Sequence, residues 1–496
     1  MTQSTAQPAN LPTDSLSDQV RSAVIWRSGA QIVGQMLTWA STFVVIRVLN
    51  PADYGLFAMT QVILVLLNML NGYGLASALI QRRDAGLQAQ RQLFGMLILL
   101  NLGLAATQFV TAPLVASYYR QPVVGDLLRV QALIYLTTPF VALPYAQLAR
   151  AMDFRRQAQV NFASGIAGAV TALGGAYAGL GVWTLVAAPL AMYVVKASGM
   201  TWAAGTLMWP SFDFRGAGDM LRYGGIMAAG QIFWFVQSQA DVFIAGRSFD
   251  PHLLGIYTTS LFLTQIFVAK FVPPLNEVAF SAYARIKEDR AAVATAFVKS
   301  ARLIMVVGMP FYLGLAATAY PLVEVVLGPK WIEAAPVVQW LALAMPFMTM
   351  QVLYSPATDA AGRPGLGATN GAIGAALLTS AYLVGVQWGV MGLVAAWLLA
   401  YPVYLAISTW RTLPVIGVGA WELGEGLLPP VIASLAMAGF VIAIDRLLPP
   451  LSPLVRLVLL TGVGAAAYCG WLAVFARGLV REVAALVRYR RSGHAV

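Results

Sequence analysis

Arg27, Lys196, Asp241, Lys270 and Glu277 interrupt apolar stretches long enough to cross a bilayer. A charge deep in lipid costs on the order of 3 kcal/mol or more, so such residues normally face protein or trapped water and mark a functional site by default. Cations lining a hydrated cavity attract an anionic group such as a phosphate. Lys270 and Arg27 are the first candidates for that work, and Lys196 follows. Arg27 lies about one turn from the end of its stretch, where a long side chain can also reach the headgroups. Asp241 has three open readings: it neutralises a neighbouring base, binds a coupling cation, or holds a helix corner together. Glu277, two turns beyond Lys270, balances charge. Gln31 and Gln231 join the candidates as neutral donors and acceptors on matching polar stripes. One stripe runs through Gly34, Gln35, Thr38, Ser41 and Thr42, the other through Trp234, Ser238 and Asp241. Such stripes line a cavity or form hydrogen bonds between helices, and both readings stand.

The chemistry that is missing narrows the classes. No P-loop, His-Glu-x-x-His or Cys-x-x-Cys motif occurs, and His252 and His494 are the only histidines. A single cysteine, Cys469, cannot form an intrachain disulfide. No soluble segment is long enough to bind a nucleotide, and no loop is long enough to lid a membrane-embedded transferase. The expectation is a protein with no catalytic residues, no metal and no cofactor.

These side chains need helices to position them. The chain is 59% hydrophobic and 10% charged, with a mean hydropathy of +0.72; a soluble domain is about a quarter charged. The solvent must largely be lipid. A formal charge of +11 then reflects topology and anionic headgroups rather than nucleic acid. A bilayer core takes roughly 20 apolar residues as a helix. Fourteen stretches qualify: 22–47, 54–79, 91–114, 127–149, 158–179, 182–206, 220–246, 253–279, 299–321, 334–357, 366–387, 389–411, 426–447 and 454–477. With even-numbered loops and both termini on one side, that side carries 22 Lys and Arg against seven on the other. This bias makes it the cytoplasmic face. The polar N-terminus lacks a basic region before its first apolar run, so no cleaved signal peptide is expected.

A repeat organises the helices. "RVLNPADYGLF" (47–57) returns as "RSFDPHLLGIY" (247–257), and "GAQI" (29–32) as "AGQI" (229–232). "TPF" (138–140) matches "MPF" (345–347), and "GVWTLVAAPLAMY" (181–193) matches "GVMGLVAAWLLAY" (389–401). Helices 1–6 are therefore repeated in parallel as helices 7–12, an arrangement that places a cleft between two lobes. In the repeated corner Pro51 and Pro251 each start a helix. Gly55 and Gly255 permit close helix approach. Arg47 and Arg247 are expected to be structural, near Asp53 and Asp250.

The motifs also carry a family resemblance. "RVLNPADYGLFAM" (47–59), "GLASALIQRRD" (74–84), "AMDFRRQAQV" (151–160), "QADVFIAGRSFDPHLLGIYTTS" (239–260), "FSAYARIKEDR" (280–290) and "GPKWIEAAPVVQWLAL" (328–343) resemble the polysaccharide transporter group. These are the Wzx-type flippases of the MATE-like exporter superfamily, and the chain is most similar to their colanic-acid-exporter-like branch, over about residues 20–415. The resemblance implies an all-α, fourteen-helix membrane protein with two six-helix lobes around a cationic cavity and two additional C-terminal helices. It implies movement of undecaprenyl-pyrophosphate-linked oligosaccharide units across the bacterial inner membrane, for exopolysaccharide, capsule or O-antigen synthesis. Partners would be that lipid-linked oligosaccharide, membrane lipids and a polysaccharide polymerase or co-polymerase.

The expected organisation is an N-terminal arm (1–21), an N-lobe (22–206), a cytoplasmic linker (207–219), a C-lobe (220–411), helices 13 and 14 (412–477) and a basic tail (478–496). Arg27, Gln31, Lys196, Gln231, Asp241 and Lys270 are the cavity candidates. The alternative is a MATE-type cation-coupled multidrug or metabolite antiporter, whose cavity should be acidic. The balance of three cations against Asp241 and Glu277 favours an anionic cargo.

Overall fold

The computed structural model describes residues 34–71, 86–205, 207–213 and 232–482, and every regular element among them is a helix. In chain order these are α1 (34–48), α2 (Pro51–Asn68), α3 (Leu87–Tyr119), α4 (Pro122–Arg150), α5 (Phe154–Tyr177) and α6 (Val182–Ala204). They continue as α7 (Ile232–Ser248), α8 (Pro251–Arg285), α9 (Arg290–Ala317), α10 (Ala334–Ala360), α11 (Pro364–Gly385), α12 (Gly389–Ile416), α13 (Ala420–Leu447) and α14 (Pro453–Phe475). A short helix, Ala319–Val326, precedes α10. Ten helical stretches among the described residues are long and apolar enough to cross a membrane, with α11 and α12 counted as one. The chain is a multi-pass membrane protein.

Helix starts follow the sequence signals. Pro51 and Pro251 occupy first-turn positions, where a missing N–H costs nothing. Asp53 accepts the Asn50 backbone N–H at 3.1 Å, and Asp250 accepts that of Leu253 at 2.9 Å. Asp153 and Asp289 cap α5 and α9 in the same way. Each satisfies a backbone donor that the helix itself leaves open. The corner acids cap their own helices, and among the described residues neither forms an ion pair with Arg47 or Arg247.

The chain divides into two compact units. The first contains residues up to Val45, Leu70–Val110 and Leu128–Gly225; the second contains Ile46–Met69, Thr111–Leu127 and everything from Ile226 onward. The second unit therefore draws two segments from the first half of the sequence.

In the first unit α5 packs along α6 through small residues. A β-carbon on Gly199 would sit 2.8 Å from Val160, and one on Gly168 would sit 3.2 Å from Met192. Leu93, Leu97, Ala142, Leu143 and Ala146 form an apolar cluster between α3 and α4. Residues 207–213 run against the start of α3: Ser211 donates its N–H to the Arg91 carbonyl at 2.9 Å, and Gln92 donates to that of Asp213 at 2.8 Å.

In the second unit α8 packs on α2 and α10, α9 on α10 and α13, α12 on α10 and α11, and α13 on α14. The corners assigned to one side by the charge count gather at one end of this unit. Arg47 bonds the Val325 carbonyl, Lys330 that of Val48, Arg247 that of Tyr118, and His252 contacts Glu333. Corners assigned to the other side meet at the opposite end, where Arg290 bonds the Pro414 carbonyl and Arg302 bonds Glu482.

Candidate functional site

Arg27, Gln31 and Gln231 lie outside the described residues. Lys196, Asp241 and Lys270 lie within them, the first in one unit and the other two in the second.

Lys196 stands in α6 beside the packed face formed by Ala197 and Met200, and its side chain is half-buried. Among the described residues it has no ion-pair or hydrogen-bond partner. Tyr193 lies one turn before it. The hydroxyl of Tyr135, on α4 in the same unit, is buried and unpartnered. A lysine stem shielded by apolar neighbours with no counter-charge keeps an unspent demand for an anion.

Lys270 occupies α8 on the face turned away from its packed side. Phe267, Val268 and Val272 are buried, whereas Lys270, Phe271 and Glu277 are exposed. Lys270 and Glu277 form no ion pair with each other or with any other described residue. Pro273 and Pro274 fall between them and interrupt the α8 hydrogen-bond ladder.

Asp241 has the opposite character. It is 1% exposed and its carboxylate is held by donors of the protein. One oxygen accepts its neighbour Val242's N–H at 2.8 Å, and the other accepts the Tyr257 hydroxyl at 2.6 Å. Tyr257 in turn accepts from Trp397 Nε1 at 2.8 Å. Trp397 stacks on Tyr401 at 4.7 Å between ring centroids, and the Tyr382 ring lies tilted to it at 5.9 Å. The result is a carboxylate without a neighbouring base among the described residues, enclosed by aromatic rings from α8, α11 and α12. Neutral donors that are fixed in place solvate a buried anion in water's stead.

Most hydroxyls of the predicted polar stripes bond inside their own helices. Thr38 donates to Gly34, Ser41 and Thr42 to Thr38, and Ser238 to Phe235. Gln237, absent from the sequence candidates, donates to the Gly371 carbonyl at 2.7 Å. Tyr257 and Trp397 were missed as well. Each sits in a repeated motif, "GIY" and "VAAWLLAY", but neither has a local signal that points to Asp241.

The chain matches a family model described as polysaccharide biosynthesis protein over residues 44–336. The teichuronic acid biosynthesis protein TuaB of Bacillus subtilis (strain 168) is 24% identical over 364 residues, covering 68% of this chain and 73% of that protein. The succinoglycan biosynthesis transport protein ExoT of Rhizobium meliloti (strain 1021) is 25% identical, covering 66% and 67%. The lipopolysaccharide biosynthesis protein WzxC of Escherichia coli (strain K12) is 22% identical over the same shares, 66% and 67%. Among solved structures, the lipid II flippase MurJ in an inward closed conformation superposes with a TM-score of 0.73 at 12% identity, over 92% of this chain and 100% of that one. An inward-facing multidrug resistance MATE transporter superposes with a TM-score of 0.62 at 16% identity, over 80% and 98%. The last two likenesses show the fold.

Proposed function

Because the chain belongs to the polysaccharide biosynthesis protein family, we propose that it is a flippase for undecaprenyl-pyrophosphate-linked oligosaccharide units in the bacterial inner membrane. The observation that carries this reading is the pair of lysines, Lys196 and Lys270, set in membrane helices without a counter-charge among the described residues. A diphosphate headgroup is the chemical complement of such cations. The names of the relatives and the shared fold support the same conclusion.

In this reading the chain crosses the membrane fourteen times with both termini in the cytoplasm. Residues 22–206 and 220–411 are the two lobes, followed by helices 13 and 14 and a basic tail. Lys196 and Lys270, with Arg27, Gln31 and Gln231, receive the headgroup, and the lobes then rock to expose it on the other side. The lipid tail stays in the bilayer, and a polymerase consumes the delivered unit. No bond of the cargo is made or broken, so no catalytic residue, metal or cofactor is called for.

Asp241 enters as a fixed negative charge that ties α7 to α8 and α12 and does not touch cargo. This weighs against the cation-antiporter alternative, whose cargo would need an acidic side chain open to a cavity. Asp241 is closed and Glu277 is a single exposed carboxylate.

The test is leaflet-resolved quantification of lipid-linked repeat units after the protein is depleted in its host. Accumulation of intact units facing the cytoplasm, restored by the wild-type chain but not by Lys270→Ala, is the expected outcome. Normal outward delivery combined with new sensitivity to cationic drugs would refute the flippase and promote the antiporter.

A further inference from the structure

The repeated corner forms a reciprocal set of bonds. Arg47, at the end of α1, donates Nη1 to the Val325 carbonyl at 3.0 Å, in the last turn of the short helix Ala319–Val326. Arg247, at the end of α7, donates Nη1 to the Tyr118 carbonyl at 2.6 Å, in the last turn of α3, and its guanidinium lies 5.6 Å from the Tyr118 ring centre. Each arginine comes from one sequence repeat and each accepting carbonyl from the other. The last carbonyls of a helix lack an intrahelical donor and carry the negative end of its dipole. Both arginines therefore cap a helix that is not their own.

Two further features belong to the same end. Lys330 and Trp331 return the arrangement, donating to the Val48 and Ile46 carbonyls of α1 at 3.0 and 2.9 Å. Between the caps, α2 and α8 cross with their backbones in contact. A β-carbon on Gly55 would collide with the Pro251 carbonyl, and one on Gly255 would collide with the Pro51 carbonyl. Nothing larger than glycine fits on either side of the crossing, and no headgroup can pass between these helices while they touch.

The caps suit a contact that must open. Neither arginine has a carboxylate partner among the described residues, because the corner acids Asp53 and Asp250 cap their own helices. Parting a guanidinium from a helix end leaves no buried unpaired charge, since both groups are at an interface that water can reach. A buried arginine–carboxylate pair would be far harder to separate.

We propose that Arg47 and Arg247, closing over the Gly55–Gly255 crossing, form a releasable latch that holds the extracytoplasmic end shut while cargo enters from the cytoplasm. The latch rests on the flippase reading for its purpose. Opening outward breaks both caps together and parts α2 from α8. Removing the arginines weakens the closed state, and adding a methyl group at Gly55 or Gly255 wedges it open.

The experiment places a reporter, Thr259→Cys, one turn beyond Gly255 on α8, where Thr259 is buried, in a Cys469→Ser background. Labelling by a membrane-impermeant maleimide added from the extracytoplasmic side is timed in intact cells and checked for total reactivity after denaturation. Arg47→Ala with Arg247→Ala should speed labelling roughly five- to thirty-fold, as the loss of two caps of ordinary strength implies. Gly55→Ala should speed it as well, and Arg47→Lys with Arg247→Lys should restore most of the protection. Unchanged labelling in the double alanine variant overturns the latch. Where that variant does not reach the membrane, Arg247→Gln and Gly55→Ala, each alone, decide between the same two outcomes. The labelling needs no cargo, so the latch stands or falls by it even if the leaflet experiment refutes the flippase.

Discussion

The Tyr257 hydroxyl donates to the Asp241 carboxylate at 2.6 Å while accepting from Trp397 at 2.8 Å. The pair joins α7 to α8, and the tryptophan brings in α12. Tyr257→Phe keeps the ring and deletes the donor, leaving a buried carboxylate short of one hydrogen bond and removing the hydroxyl that accepts from Trp397 Nε1. The expected loss is about 1–3 kcal/mol, read as a lower unfolding temperature of the purified protein in detergent. Asp241→Asn combined with Tyr257→Phe should recover part of it, because the buried charge is then gone. A double variant no more stable than Tyr257→Phe would refute this account of the carboxylate.

Among the described residues, Lys196 and Lys270 have no ion-pair or hydrogen-bond partner to lose. Alanine at either position should leave the unfolding temperature within about 0.5 kcal/mol of the parent in stability terms, yet reduce delivery of lipid-linked units severely. Lys270→Arg should retain more activity than Lys270→Ala, since the positive charge remains. Equal loss in both variants would show that charge is not what the position contributes.

Gly385 and Gly392 face each other across the turn between α11 and α12, where a β-carbon on either would collide with the other's carbonyl. Gly392→Ala must push the two helices apart in a well-packed region. Its expected cost is about 1–3 kcal/mol, measured by thermal unfolding, and a neutral effect would count against so close an approach.

Arg456 and Asp445 form a two-bond ion pair at 2.6 and 2.8 Å between α13 and α14. The arginine is 41% exposed and the aspartate 22%, so solvent screens much of the attraction. Asp445→Ala should cost no more than about 1 kcal/mol, and the difference from wild type should shrink as salt is raised. A larger, salt-insensitive loss would mean that the pair is buried in the membrane-embedded protein.

Trp331 is fully buried, donates Nε1 to the Ile46 carbonyl at 2.9 Å and meets Tyr54 edge-on at 5.5 Å. Trp331→Phe should keep the ring contact and strand a carbonyl at the end of α1, costing about 1–3 kcal/mol. Thermal unfolding checks this, and an unchanged midpoint would show that the carbonyl finds another donor.

Much of the architecture was legible in the residue order because its causes are local. Apolar runs between charges mark where helices lie, Asn50-Pro51 and Asp250-Pro251 mark where two of them start, and the recurrence of Arg, Pro and Gly 200 residues apart reveals the repeat. Lysines inside apolar runs were visible for the same reason, since the cost of a charge in lipid needs no knowledge of neighbours. What the tertiary structure decided was the partners. Arg47 finds a carbonyl 278 residues away and Arg247 one 129 residues away, not the acids beside them in sequence. Asp241 is satisfied by Tyr257, 16 residues on, with Trp397 a further 140 residues beyond. Helix ends expose carbonyls wherever they fall, and a buried carboxylate accepts any donor within reach. The sequence states the demand, and only the packing of distant helices determines which group meets it.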